Sequence, residues 1–400
     1  MSETTTPVTP DAAAPLADAT GPATGPTSAP VPTATAVRGG RREDLTRWAL
    51  WLVLAVVMFL APIYLPGEYL TVGTWVMTGA VGAMGLTMLV GQAGQLSLAH
   101  SFFLLVGGVS YSVLSGDGSD GFVGLHLPTF VALVLAVAIS ALVGVAFAPV
   151  SGRLRGIYLG VASLSLVFLG WYLARSLPSL AGTTSSGRYA EDLHLFGFNF
   201  GEKSPSLYVL DVPIGQNERL WWLFAALTAI AYAVARGAVQ GRIGRAWRAV
   251  RDNEAAATVM GVSVVRQKAV AFAVSSAYAG LAGVMVVWWY DGLLKPDEAV
   301  DSGTYSTTVA IGYLAMVVIG GIGSLGGAIL GSTIVFGMPL IIPLLTQGDG
   351  SGINAVSGTD FSPVVITNLV YGALIVLIIV FEPGGFAALG RKLTARLRRG

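Results

Sequence analysis

Between residues 48 and 381 the chain repeats one pattern, an apolar stretch closed off by a polar connector. A bilayer core needs roughly 20 apolar residues per helix. By that length candidates lie at 48–66, 70–90, 101–115, 127–150, 156–178, 220–239, 269–290, 307–322, 325–345 and 363–381. The pattern predicts an all-α membrane protein, a polytopic bundle of about ten transmembrane helices. The third and eighth stretches are short and broken by glycine, and short or broken helices tend to line a transport path.

Composition points to the same solvent. Charged residues make up 11% of the chain, hydrophobic residues 54%, and mean hydropathy is +0.70. Soluble domains carry about 25% charged residues, so the apolar surplus has to face lipid, and the 52 glycines suit closely packed membrane helices. With no cysteine, a disulfide frame, a thiolate metal site and a cysteine nucleophile are all excluded. Histidine stands only at 100, 126 and 194, without metal-binding spacing, so neither a metal nor a catalytic site is expected.

The near-zero net charge of +1 hides an asymmetry along the chain. If the N-terminal tail is cytoplasmic, every Lys and Arg falls on the inner side except Arg175, Arg188, Lys203, Arg219 and Lys295. That bias orients the bundle with both termini inside. Residues 1–40 are rich in Pro, Ala, Thr and Ser and cannot bury enough surface to offset ordering entropy. The expected division is a disordered cytoplasmic tail over 1–47, a transmembrane domain over 48–383 and a basic cytoplasmic tail over 384–400. No basic start and apolar run mark a signal peptide, so the first membrane helix is expected to direct insertion. Outer loops at 115–121, 180–219 and 346–362 offer a docking face for a periplasmic partner, and the inner segment 240–268 offers one for a cytoplasmic partner.

That inner segment is the most informative. Within 241–272 the residues Ile243, Trp247 and Val250 recur at helical spacing as an apolar stripe. Arg248 with Asp252, and Arg251 with Glu254, stand where ion pairs can form, and Gly261 offers a stop. An apolar seam with a charged flank suits a groove on a soluble partner; the plainer reading is a positive anchor for the neighbouring spans.

The segment GRAWRAVRDNEAAATVMGVSVVRQKAVAF resembles that of the LivM-type permeases of branched-chain amino-acid ABC importers. So do GQAGQLSLAHSFFLLVGG at 91–108, with Ala99 where glycine is usual, RLRGIYLGVASLSLVF at 153–168, AGLAGVM at 279–285, MVVIGGIGSLGGAILG at 316–331 and FEPGG at 381–385. The sequence departs from the family at 182–188, GTTSSGR, in place of a TGG-type motif. The resemblance implies a coupling element seated on an ATPase, carried by Trp247, Arg248, Asp252, Glu254 and Gly261. It implies as partners two ATP-binding subunits, a second related permease subunit and a periplasmic or lipid-anchored binding protein, in a bacterial plasma membrane. No cofactor and no nucleic acid is implied.

Gln92, Gln95, Ser97 and His100 crowd polar side chains into one glycine-interrupted stretch. Buried amides need partners, so these residues either line a wet substrate path or bond neighbouring helices together. His100 alone reads as a packing histidine rather than a proton relay. GIGSLG, residues 321–326, spells GxGxxG but follows a membrane span, so a tight hairpin is expected there and not a nucleotide site. No P-loop occurs, and the spans carry almost no ionisable residue. Both points favour a conduit driven by a separate ATPase over an ion-coupled secondary transporter or an intramembrane enzyme. Asp291 and Glu68 read as solvated helix ends. Among solutes, branched-chain amino acids, other amino acids, and urea or short amides remain open.

Overall fold

A computed structural model describes residues 41–347 except 119–120, 155, 184–186, 192, 196, 202–206, 210–211 and 297–303, with scattered positions from 369 to 388. The loop at 346–362, the tenth candidate span and the C-terminal tail lie almost wholly outside the described residues, as do residues 1–40.

Helices account for most of the rest. The first, α1, is Arg41–Tyr64, so the backbone is already helical within the stretch expected to be a disordered tail. Helix α2, Gly67–Thr87, runs on through a π-helical turn at Met88–Gln92. Then come α3 (His100–Ser115), α4 (Thr129–Arg153), α5 (Ile157–Ser176), the short α6 (Pro178–Ala181), α7 (Gln216–Gln240), α8 (Arg242–Asp252), α9 (Glu254–Val259) and α10 (Val264–Trp289). The last described helices are α11 (Thr307–Gly320), α12 (Leu325–Ser332), a second π turn at Thr333–Gly337, and α13 (Met338–Gln347). Among the described residues six helical segments are long and apolar enough to cross a membrane: Gly67–Gln92, Thr129–Arg153, Ile157–Ser176, Gln216–Gln240, Val264–Trp289 and Leu325–Ile342. Leu52–Tyr64, His100–Ser115 and Thr307–Gly320 are apolar but shorter.

Among its described residues the connector between α6 and α7 forms no helix. It folds into small antiparallel pairs, β2 (His194–Leu195) with β3 (Phe198–Asn199) and β4 (Leu207–Val209) with β5 (Val212–Ile214). A further strand, β1 (Arg188–Tyr189), pairs with β6 (Leu293–Leu294), which follows α10. The all-α expectation thus describes the spans and not this segment.

The helices from α2 onward belong to a unit that begins at Leu54. At its centre stands α10, packed against α2, α3 and α4. Small residues allow the approach: a Cβ at Gly107 would run into the Gly280 backbone, and one at Gly280 into the Ser140 side chain. Polarity is arranged as lipid requires. Among the six segments α4 is the most apolar yet mostly exposed, while α2 with its π turn is the least apolar and the most buried. The exposed apolar side chains Leu142, Val161 and Tyr172 make a face that only lipid or another apolar subunit would cover.

Short contacts also fix which helix ends lie together. At one end the Trp221 indole donates to Met58 O at 2.9 Å and that of Trp289 to Thr71 O at 3.1 Å. At the opposite end Arg248 and Lys268 reach α2 and α4. Trp75, Trp221, Trp222 and Trp289 therefore gather at one end, and the Arg-rich α8, which also holds Trp247, lies at the other.

Candidate functional site

At the Arg-rich end, two stretches that the sequence presented separately are joined. Helix α2 closes with the Ala93 N–H on Met88 O at 3.2 Å and the Gln95 N–H on Leu89 O at 3.1 Å. Gly94 turns the chain with φ +69°, and a Cβ there would press on the Arg251 side chain. This geometry carries Gln92 outward from the π turn, which is a recurrent device at functional sites. The Gln92 carbonyl accepts from Arg248 Nη1 at 3.0 Å, and its amide donates to Gly323 O at 2.9 Å. Arg251 Nη1 donates to Gly91 O at 2.7 Å. One amide side chain thus ties α8 to the turn between α11 and α12. That turn is the expected hairpin: Gly320 and Gly327 meet backbone to backbone, and Ser324 caps α12 by accepting from Gly327 N at 3.1 Å.

Helix α8 corrects the docking assignment. Trp247 is 0% exposed, Val250 is buried, and the Trp247 indole donates to Gln267 O at 3.2 Å. The stripe faces the chain's own α7 and α10, because a surface of that size is covered by the nearest apolar helices. Trp247 therefore cannot enter a groove on a partner in this conformation; of the three stripe residues only Ile243 is exposed. The charges also pair differently from their helical spacing. Arg251 binds Asp252 at 2.9 Å, Arg248 donates to Gln92 and to Val239 O, and Glu254 binds Lys268 Nζ at 2.8 Å.

The predicted single helix is broken at Asn253, whose extended backbone ends α8 and whose side chain caps α9 by accepting from Ala256 N at 3.0 Å. Gly261, with φ +82°, stops the element where expected. Lys268 is almost wholly buried and also reaches Ser151 O at 3.5 Å, which fastens α9 to the end of α4. Beyond that tie, Val259 is 88%, Met260 83% and Val265 70% exposed. Sequence reasoning missed Lys268 and Gly323. A lysine in the first turns of a long apolar helix was the available signal for Lys268; Gly323 acts through its carbonyl and had none.

The other polar residues of the Gln92 stretch do not join this junction. Gln95 donates to the nearby Ala93 O at 3.3 Å, and Ser97 Oγ accepts from Ala99 N at 3.3 Å. His100 is buried against Tyr313, with ring centroids 4.5 Å apart.

At the Trp-rich end a cavity of about 460 Å³ is lined by residues that include Tyr189, Glu191, Gln216, Trp288, Tyr290 and Asp291. Asp291, read from sequence as a solvated helix end, is exposed but also borders this cavity at φ +55°, where Gln216 Nε2 donates to its Oδ1 at 2.6 Å. Behind the wall the Arg188 guanidinium donates to Val123 O at 2.6 Å, Leu180 O at 3.1 Å and Ser179 O at 3.2 Å. Burial lowers its pKa, and the carbonyls supply acceptors for the charged form.

Residues 69–379 match the family described as branched-chain amino acid transport system, permease component. The high-affinity branched-chain amino acid transport system permease protein LivM of Salmonella typhimurium is 24% identical over 349 residues, which is 85% of this chain and 75% of the relative. LivM of Escherichia coli is 26% identical over 352 residues, 86% and 75% of the two chains. The corresponding permease protein BraD of Pseudomonas aeruginosa is 25% identical over 328 residues, 80% of this chain and 94% of the relative. No solved structure matches.

Proposed function

The chain belongs to the family of permease components of branched-chain amino acid transport systems, multi-pass membrane subunits rather than enzymes, and on that premise we propose that it forms the translocation pathway of an ABC importer. Two separate ATP-binding subunits drive it, a second related permease subunit completes the pathway, and a periplasmic or lipid-anchored binding protein delivers a branched-chain amino acid or a related small polar solute. The Arg-rich end faces the cytoplasm, following the positive-inside rule. The outer cavity beside Glu191 and Asp291 lies where the binding protein would release its solute.

The observation that carries this reading is the division of labour in the inner segment. The exposed apolar tip Val259 and Met260 offers a contact for an ATPase. The adjoining α8 grips Gly91, Gln92 and, through Gln92, the Gly323 turn. A push on α9 would thereby reach the inner ends of three membrane helices. Gln95, Ser97 and His100 extend from this junction along the proposed substrate path.

Proteoliposomes holding the full complex test it. Leucine uptake should require ATP and the binding protein, whereas uptake driven by an ion gradient without ATP, or concentrative uptake by this chain alone, would overturn the reading. Uptake of urea in place of amino acids would keep the importer and change its solute.

A further inference from the structure

Helix α3 begins inside the protein with nothing to cap it. Its first residues, His100, Ser101 and Phe102, are all buried, and the N-cap Ala99 has no side-chain acceptor to offer. Phe103 is the first whose N–H finds a helical carbonyl, Ala99 O at 3.2 Å. Among the described residues the N–H groups of His100, Ser101 and Phe102 have no acceptor. Buried helix ends are normally satisfied by caps, water or a ligand, and three donors at the positive end of a helix dipole form an anion site.

Side chains in the same place are also without partners. The Ser101 hydroxyl (0% exposed), the Tyr313 hydroxyl (0%) and His100 Nε2 (2%) make no hydrogen bond among the described residues. Each such group, buried and unpaired, carries a desolvation cost that a merely structural position has no reason to retain. The His100 and Tyr313 rings are in contact at a tilt of 56°, and a Cβ at Gly82 of α2 would strike the Tyr313 ring. That contact sets the depth. Gly82 lies about 15 Å along the α2 axis from Gln92, close to the middle of a core about 30 Å thick.

We propose that the first turn of α3, with Tyr313 opposite, is a mid-membrane binding site for the head group of an α-amino acid. The carboxylate takes the free N–H groups of residues 100–102 and the hydroxyls of Ser101 and Tyr313. His100 Nε2, buried without a partner among the described residues, is the acceptor for the ammonium group. The side chain of the solute plays no part in this recognition, so the site passes amino acids as a class and excludes urea, which has no charge to offer. The groups are shut from solvent in this conformation, so the solute gains the site only as α3 and α11 part. This assignment rests on the importer reading for its solute, but not for its chemistry.

The test uses two substitutions that remove one hydroxyl each, Tyr313→Phe and Ser101→Ala, in the full complex. If the orphaned hydroxyls are accidents of packing, deleting them leaves uptake as it was and raises the melting temperature. The site instead requires the KM for leucine uptake to rise at least tenfold in each variant, with complex assembly and melting temperature at or above wild type. Isovalerate, the leucine skeleton with a carboxylate and no ammonium, is the second probe, measured by calorimetry without ATP. It should bind the wild-type complex and bind Tyr313→Phe at least tenfold more weakly. Wild-type KM in both variants, or isovalerate binding equally to wild type and Tyr313→Phe, overturns the proposal. A complex that binds isovalerate in this way but shows no ATP-driven uptake would remove the importer reading and leave the site standing.

Discussion

Helices α8 and α9 follow one another across the single residue Asn253, yet they treat their apolar side chains in opposite ways. α8 buries Trp247 and Val250 within its own chain and spends its arginines on Gly91 and Gln92. α9 leads into Val259 and Met260, which stand in solvent, and is held from behind by the Glu254–Lys268 pair. A helix whose apolar stripe is buried in its own subunit has no apolar face left to offer a partner. An exposed apolar tip can receive a displacement, provided something stiff lies behind. On the proposed function, the receiving surface is then the end of α9 and the transmitting element α8.

Five substitutions separate the two roles. Trp247→Ala empties a buried site in α8 and should lower stability by about 3–5 kcal/mol, read as a fall in the melting temperature of the purified complex. Wild-type melting with lost ATPase binding would return Trp247 to the interface and break the contrast. Glu254→Gln leaves the Lys268 ammonium buried and unpaired, a loss of about 3 kcal/mol. Pairing it with Lys268→Met should restore most of that loss, and no recovery in the double variant would show that the ion pair is not what fastens α9. Met260→Asp should leave melting unchanged, since the side chain is already exposed. It should weaken ATPase docking by about 2 kcal/mol, roughly 30-fold, in a pull-down titration of the two subunits. The smallest effect belongs to Asp252→Ala, whose partner Arg251 is also exposed. It is expected to cost about 0–1 kcal/mol and to fade as salt is raised; a loss as large as that of Glu254→Gln would mean that α8 also meets a partner through its rim.

Much of the fold could be read before any coordinates, because hydrocarbon length and charge placement act on individual segments. The stretches 101–115 and 307–322 were visible as short, and α3 and α11 are short. The stop at Gly261 and the hairpin at residues 321–324 followed from local backbone chemistry. What sequence could not give was the side on which a helix finds its neighbour. The Ile243, Trp247, Val250 stripe announces an apolar face, and nothing in its spacing distinguishes a partner subunit from α10 of the same chain. Lys268 and Gly323 were hidden for a related reason: each acts on a residue far away in the chain, Glu254 excepted, and one of them only through its backbone. Gln92 bonds helices together, whereas His100 and Ser101 keep unsatisfied atoms that helix bonding would have used.

The shortness of α3 and α11 has a consequence for the protein interior. With 16 and 14 residues, they extend about 24 and 21 Å at the usual helical rise, and they lie side by side through His100 and Tyr313. The neighbouring α4 and α10, at 25 and 26 residues, exceed a full hydrocarbon thickness. No residue of α3 is exposed, so its shortfall falls inside the protein and not against acyl chains, and the non-helical backbone at residues 93–99 is held at membrane depth by protein neighbours.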